Sequence, residues 1–135
     1  MSMEKEVSFK TTKTYSTLNT INIKNQNIWF ACHGIGQLSH YFLNNFSTIS
    51  KENNYIIAPQ APSKFYQSTQ TRRVGACWLT KQDTQLELQN VFRYFDEILN
   101  HEKQAIPNIF MGFSQGVSVM LRYLAYKKLN VNDIV

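Results

Sequence analysis

A doubly wound α/β architecture on a mostly parallel sheet is what this sequence predicts, from three observations. Short continuous apolar runs recur (IWFAC at 28–32, YIIAP at 55–59, IPNIFMGF at 106–113). Amphipathic stretches of helical spacing accompany them, and the two kinds alternate along the chain. An apolar run without polar alternation suits a strand covered on both faces, as in parallel sheets. The 135 residues are about one domain long, and 43% apolar with 13% aromatic content can supply a hydrophobic core.

The elements follow in order. In EVSFKTTKTYSTL and INIKNQNIWFACH, Val7 and Phe9, then Ile21 and Ile23, recur at period two, which predicts an N-terminal antiparallel strand pair turning near Asn19 or Asn25. IWFAC is the first buried strand and stops at His33-Gly34. Leu38, Tyr41, Phe42, Phe46 and Ile49 fall at spacings of three and four, predicting a helix over 38–49. YIIAP is the next strand, ended by Pro59, which has no N–H for the ladder. Residues 60–79 show no convincing period and are expected to form a long irregular loop, a kind of segment that is usually functional. Thr80 to Asp83 reads as a capping box before an amphipathic helix through Leu86, Leu88, Val91, Phe92, Phe95, Ile98 and Leu99 to about His101. A strand within IPNIFMGF and a helix over 117–129 complete the pattern.

Lys and Arg outnumber Asp and Glu by 14 to 9, but they stand in ones and twos, including Arg72-Arg73 and Lys127-Lys128. That scatter argues against a nucleic-acid groove and only weakly for an anionic partner. Cys32 and Cys77 have no ligand or redox spacing and read as free thiols in a reducing compartment. The polar N-terminus lacks a signal-peptide pattern, and no apolar run reaches membrane-spanning length, so a cytoplasmic location is expected.

Gly112-Phe113-Ser114-Gln115-Gly116 matches G-x-S-x-G at a strand-to-helix junction, the context that gives this motif its meaning. Glycines leave room for the sharp turn, and Ser114 would stand at the positive end of the following helix. The plainer alternative is a Gly/Ser turn that lets strand and helix pack. His33-Gly34-Ile35-Gly36-Gln37 follows the first buried strand. Acyl transfer needs two N–H donors for the oxyanion, one from the residue after the nucleophile and one from a glycine-bearing loop, which singles out Gln115 and Ile35. His33 is expected to order this loop by hydrogen bonds in preference to acting as general base. Neither cysteine carries a base signature for a nucleophile, and no G-x-G-x-x-G or Walker-type loop supports a phosphate or dinucleotide binder.

ACHGIGQ, IIAPQAPSKFY, RRVGACWLTKQD and MGFSQG, in this order and spacing, resemble the carboxylesterase and phospholipase-type branch of the α/β-hydrolase superfamily, akin to bacterial carboxylesterases and acyl-protein thioesterases. The likeness runs from about residue 5 to the end. It implies a three-layer α/β-hydrolase fold and hydrolysis of a small-molecule ester or thioester with Ser114 as nucleophile. It further implies an oxyanion hole from the N–H groups of Ile35 and Gln115, with no metal or organic cofactor. Gly34, Gly36, Gly112 and Gly116 would shape the loop and the elbow.

The resemblance places an acid and then a base after the serine, and the chain stops at LNVNDIV, about twenty residues on. His33, His40, His101 and Asp133 are poorly placed to replace them. Residues 1–135 are therefore expected to be the N-terminal part of such a domain, with its C-terminal part missing, inactive alone or completed by a homodimer or a C-terminal segment. In the 60–79 loop, Phe65, Tyr66 and Trp78 could line an acyl pocket and Arg72 or Arg73 could meet a carboxylate or phosphate. The alternatives are a core role for the aromatics and solvated arginines. A non-catalytic binding module of the same ancestry is the second functional class.

Overall fold

A computed structural model describes residues 1–22, 26–128 and 133–135. Its main sheet has five strands, β1 (Tyr15–Leu18), β2 (Asn27–Cys32), β3 (Asn54–Pro59), β6 (Ile109–Gly112) and β7 (Asp133–Ile134), in the order β1-β3-β2-β6-β7. β2 runs parallel to β3 and to β6, β6 runs parallel to β7, and β1 is antiparallel to β3. The helices are α1 (Ser39–Phe42), α2 (Thr84–His101) and α3 (Gln115–Lys127).

The continuous apolar runs serve two faces at once, because successive strand side chains point to opposite sides. Phe30, Cys32, Tyr55, Ile57 and Phe110 pack against Val91, Phe95 and Ile98 of α2 and Val119, Met120 and Tyr123 of α3. Ala31, Ile56 and Ala58, one residue out of step, pack against Phe42 of α1 and Leu43 and Phe46 of the 3-10 turn that follows it. Helices thus cover both faces, giving the three-layer α/β-hydrolase arrangement with its mostly parallel sheet and antiparallel N-terminal pairing. No helix among the described residues is long and apolar enough to cross a membrane.

The structure departs from the sequence expectations in five places. The antiparallel partner of β1 is β3, with Leu18 opposite Ile56, and Val7 and Phe9 are exposed outside any strand. Two apolar side chains among the charges of residues 4–13 give that stretch too little to bury. Ile23 and Asn25 lie outside the described residues. The helix expected over 38–49 is one turn of α1 and a 3-10 turn (Leu43–Phe46), which suffice to bury Phe42, Leu43 and Phe46 while Tyr41 stays exposed.

The irregular loop of 60–79 contains a second sheet, the antiparallel pair β4 (Ser63–Tyr66) and β5 (Val74–Cys77). Every β4 residue is exposed, so no buried-face alternation marked it. The capping box does not form. Asp83 precedes α2 at φ 54°, without a side-chain cap, and Thr80 Oγ1 instead accepts the Gln82 N–H at 3.2 Å. α3 begins two residues before Val117, and its expected last residue, Leu129, lies outside the described residues.

Candidate active site

Parallel register brings two loops together. Cys32 of β2 lies opposite Gly112 of β6, so the chain leaves both strands at the same sheet edge, and two residues later Gly34 stands beside Ser114. The approach is close: a Cβ on Gly34 would lie 3.1 Å from the Ser114 Cβ and 2.9 Å from the Phe113 ring. Any larger residue at 34 would press on the serine.

Ser114 sits between β6 and α3 at φ 54° and ψ −123°, a conformation that L residues adopt only under strain. The turn is held by N–H bonds from Gly116 to the Phe113 carbonyl (2.9 Å) and from Val117 to the Ser114 carbonyl (3.0 Å). Its tightness explains the flanking glycines. A Cβ on Gly112 would stand 2.5 Å from Val117 Cα, and one on Gly116 would run into the Cys32 carbonyl. Ser114 and Phe113 are exposed at the sheet edge, ahead of a 13-residue helix whose N-terminal end favours negative charge.

His33 is fully buried behind the loop, with both ring nitrogens engaged. Nε2 accepts the Ala61 N–H at 3.0 Å, which leaves the proton on Nδ1, and Nδ1 donates to the Gly34 carbonyl at 2.8 Å. Burial lowers the His33 pKa, and the bond to Gly34 offsets part of that shift. The loop is further tied down by the Gly34 N–H to Gln37 Oε1 (2.6 Å) and the Gly36 N–H to the Ala76 carbonyl (2.8 Å). Gly36 takes φ 82°, where a side chain would be strained, and its carbonyl accepts Gln67 Nε2. Among the described residues, the backbone N–H groups of Ile35 and Gln115 donate to no protein acceptor.

The role of the Gln115 side chain was not legible before the fold. Its Oε1 accepts the Trp78 N–H at 2.7 Å and its Nε2 donates to the Leu79 carbonyl at 2.7 Å. Trp78 then donates its indole N–H to the His33 carbonyl at 2.7 Å, with its ring 5.0 Å from the imidazole. Elbow, glycine loop and β5 are thereby linked through Trp78, which is 1% exposed and packed in the core. The one available signal was a long polar side chain in the first turn of a helix beside a buried strand end.

Other candidates lie apart. Phe65 and Tyr66 are exposed on β4, and the Arg72 guanidinium lies 5.2 Å from the Tyr66 ring centre. Arg73, Gly36, His40 and Gln67 line a groove of about 770 Å³ between α1 and the hairpin. His101 ends α2, edge-on to Tyr15 of the edge strand β1, which β3 and β2 separate from β6 and the elbow. Cys32 and Cys77 are free and buried, and burial pushes the Cys32 thiol pKa up.

The sequence matches no protein-family model and no curated protein. Solved structures do resemble it. A phospholipase/carboxylesterase from Dyadobacter fermentans is 19% identical over 94% of this chain and 60% of its own, at TM-score 0.63. Acyl-protein thioesterase 2 of Zea mays is 19% identical over 80% of this chain and 49% of its own, at TM-score 0.56. Homoserine O-acetyltransferase from Staphylococcus aureus is 12% identical over 89% of this chain and 38% of its own, at TM-score 0.59. This chain therefore spans about three fifths of the length of the Dyadobacter protein and less of the other two. At such identities the likeness is one of fold, and the fold is that of the α/β-hydrolases.

Proposed function

We propose that Ser114 is the nucleophile of a serine ester hydrolase of carboxylesterase or thioesterase type. The observation that carries this reading is the strained, exposed conformation of Ser114 with Gly34 pressed against it. A serine in an ordinary packing turn has no need of either feature. Ser114 Oγ attacks the substrate carbonyl carbon and loses its proton to a base. The carbonyl oxygen takes the negative charge and is held by the N–H groups of Ile35 and Gln115. Collapse expels the alcohol or thiol, which takes up a proton, and water then releases the acid from Ser114.

His33 orders the oxyanion loop and is not the base, since its one acceptor nitrogen holds the Ala61 N–H. The base and its orienting acid would come from a further C-terminal segment or from a second copy, and the reading of residues 1–135 as the N-terminal part of the catalytic domain draws on the 60% or less of the three similar structures that they span. The chemistry calls on no metal or organic cofactor, and a cytoplasmic setting fits two free thiols.

A second reading, a non-catalytic binding module, draws on the engaged nitrogens of His33 and the remote position of His101. Covalent labelling by a fluorophosphonate probe separates the two. Labelling that Ser114→Ala abolishes supports the hydrolase, and a folded sample whose serine stays inert even with imidazole added as an external base supports the module.

A further inference from the structure

The groove between α1 and the hairpin has a composition that selects its ligand. Gly36, Gln37, Tyr41, Asn45, Gln67 and Arg73 supply hydrogen-bond donors, an aromatic ring and one permanent positive charge, and no Asp or Glu lines it. Arg72 and Arg73 are neighbours with different situations. Arg72 is engaged by Tyr66, through the ring and through Nη2 to the phenol oxygen at 3.4 Å. Among the described residues Arg73 has no ion pair, and its backbone is fixed because its carbonyl accepts the Gln67 N–H at 2.7 Å. An exposed guanidinium on a fixed stretch of backbone at one wall of a groove without acidic residues is a planar fork open to an oxyanion.

The groove opens near the serine through the glycine loop, although Ser114 itself does not line it. Gly36 lines it and lies two residues from Gly34, a span of at most about 7 Å of backbone, and Gly34 is in contact with Ser114. Gln67 bonds the Gly36 carbonyl, joining the groove wall to the glycine loop.

We infer that this groove is the recognition site of the Ser114 centre and takes esters whose acyl or alcohol part ends in a carboxylate or phosphate, with Arg73 as the specificity-determining residue. The inference rests on Ser114 being the reacting group, but its test does not use the reaction.

In the Ser114→Ala chain, where nothing turns over, amide NMR shifts are followed during titration with monomethyl succinate, 2-acetoxyethyl phosphate and the uncharged dimethyl succinate. The expected result is saturable shifts at Gly36, Gln67 and Arg73 with at least one anionic ester, about tenfold tighter than with dimethyl succinate. They should disappear in an added Arg73→Gln variant and return in part in Arg73→Lys. The tighter of the two anions identifies the source of the charge. Equal binding of the neutral diester, no saturable shift at these amides with either anion, or indifference to Arg73→Gln would overturn the inference. Loss of Ser114 labelling with this binding intact would instead count against the nucleophile alone.

Discussion

At the scale of the residue, the elbow depends on absent side chains. A Cβ at Gly116 has no place to go, because the Cys32 and His33 carbonyls already occupy it and belong to a central strand end. Gly116→Ala is expected to cost at least about 2 kcal/mol of unfolding free energy, read from urea denaturation, and a cost under about 0.5 kcal/mol would show that the strand and helix do not meet so closely. His33 makes a second prediction, with pH. Its folded pKa is lowered by burial, so between that value and the ordinary value of about 6.5 the unfolded chain binds a proton that the folded chain does not. The stability contributed by neutral His33 is fully present above pH of about 6.5 and lost as pH falls below it. The urea midpoint should drop between pH 7.5 and 5.5, and His33→Gln should flatten that drop. An equal drop in the variant would remove His33 as the cause.

At the scale of the element, what could be read in the sequence was whatever is buried on both sides. IWFAC, YIIAP and the strand within IPNIFMGF announced themselves because apolar side chains fill both faces, and the G-x-S-x-G turn was legible because strand and helix patterns meet at it. β4 was illegible because its four residues are exposed and its stability comes from pairing with β5, a long-range property. Trp78 read equally well as pocket or core, and only the fold shows it buried beneath the glycine loop.

The Gln115 side chain escaped notice because its partners, Trp78 and Leu79, are 37 and 36 residues away. This tie between α3 and the end of β5 carries its own prediction. Gln115→Ala should leave the Trp78 N–H and the Leu79 carbonyl without partners, cost about 1–3 kcal/mol, and speed amide exchange at Trp78 more than at β3. Unchanged exchange at Trp78 would mean the tie is not maintained in solution.

At the scale of the whole molecule, the five-stranded sheet ends at β7, a two-residue strand paired with β6. Ile134 of β7 and Val135 after it are exposed apolar residues at this sheet edge. Concentration-dependent association through this edge is expected, visible by size-exclusion chromatography and weakened by Ile134→Lys. A monomer at all concentrations, with cooperative unfolding, would speak against an uncovered interface.

This chain spans 60%, 49% and 38% of the three solved structures described above, and the nucleophile assignment is tested without any further segment by supplying a base from solution. The most direct measurement is fluorophosphonate labelling of the folded chain and of Ser114→Ala, each with and without added imidazole as an external base. Labelling is expected to be confined to Ser114, slow for the chain alone and accelerated by imidazole. A folded chain that stays unlabelled in imidazole, or labelling that survives in Ser114→Ala, would contradict the assignment of Ser114 as a nucleophile.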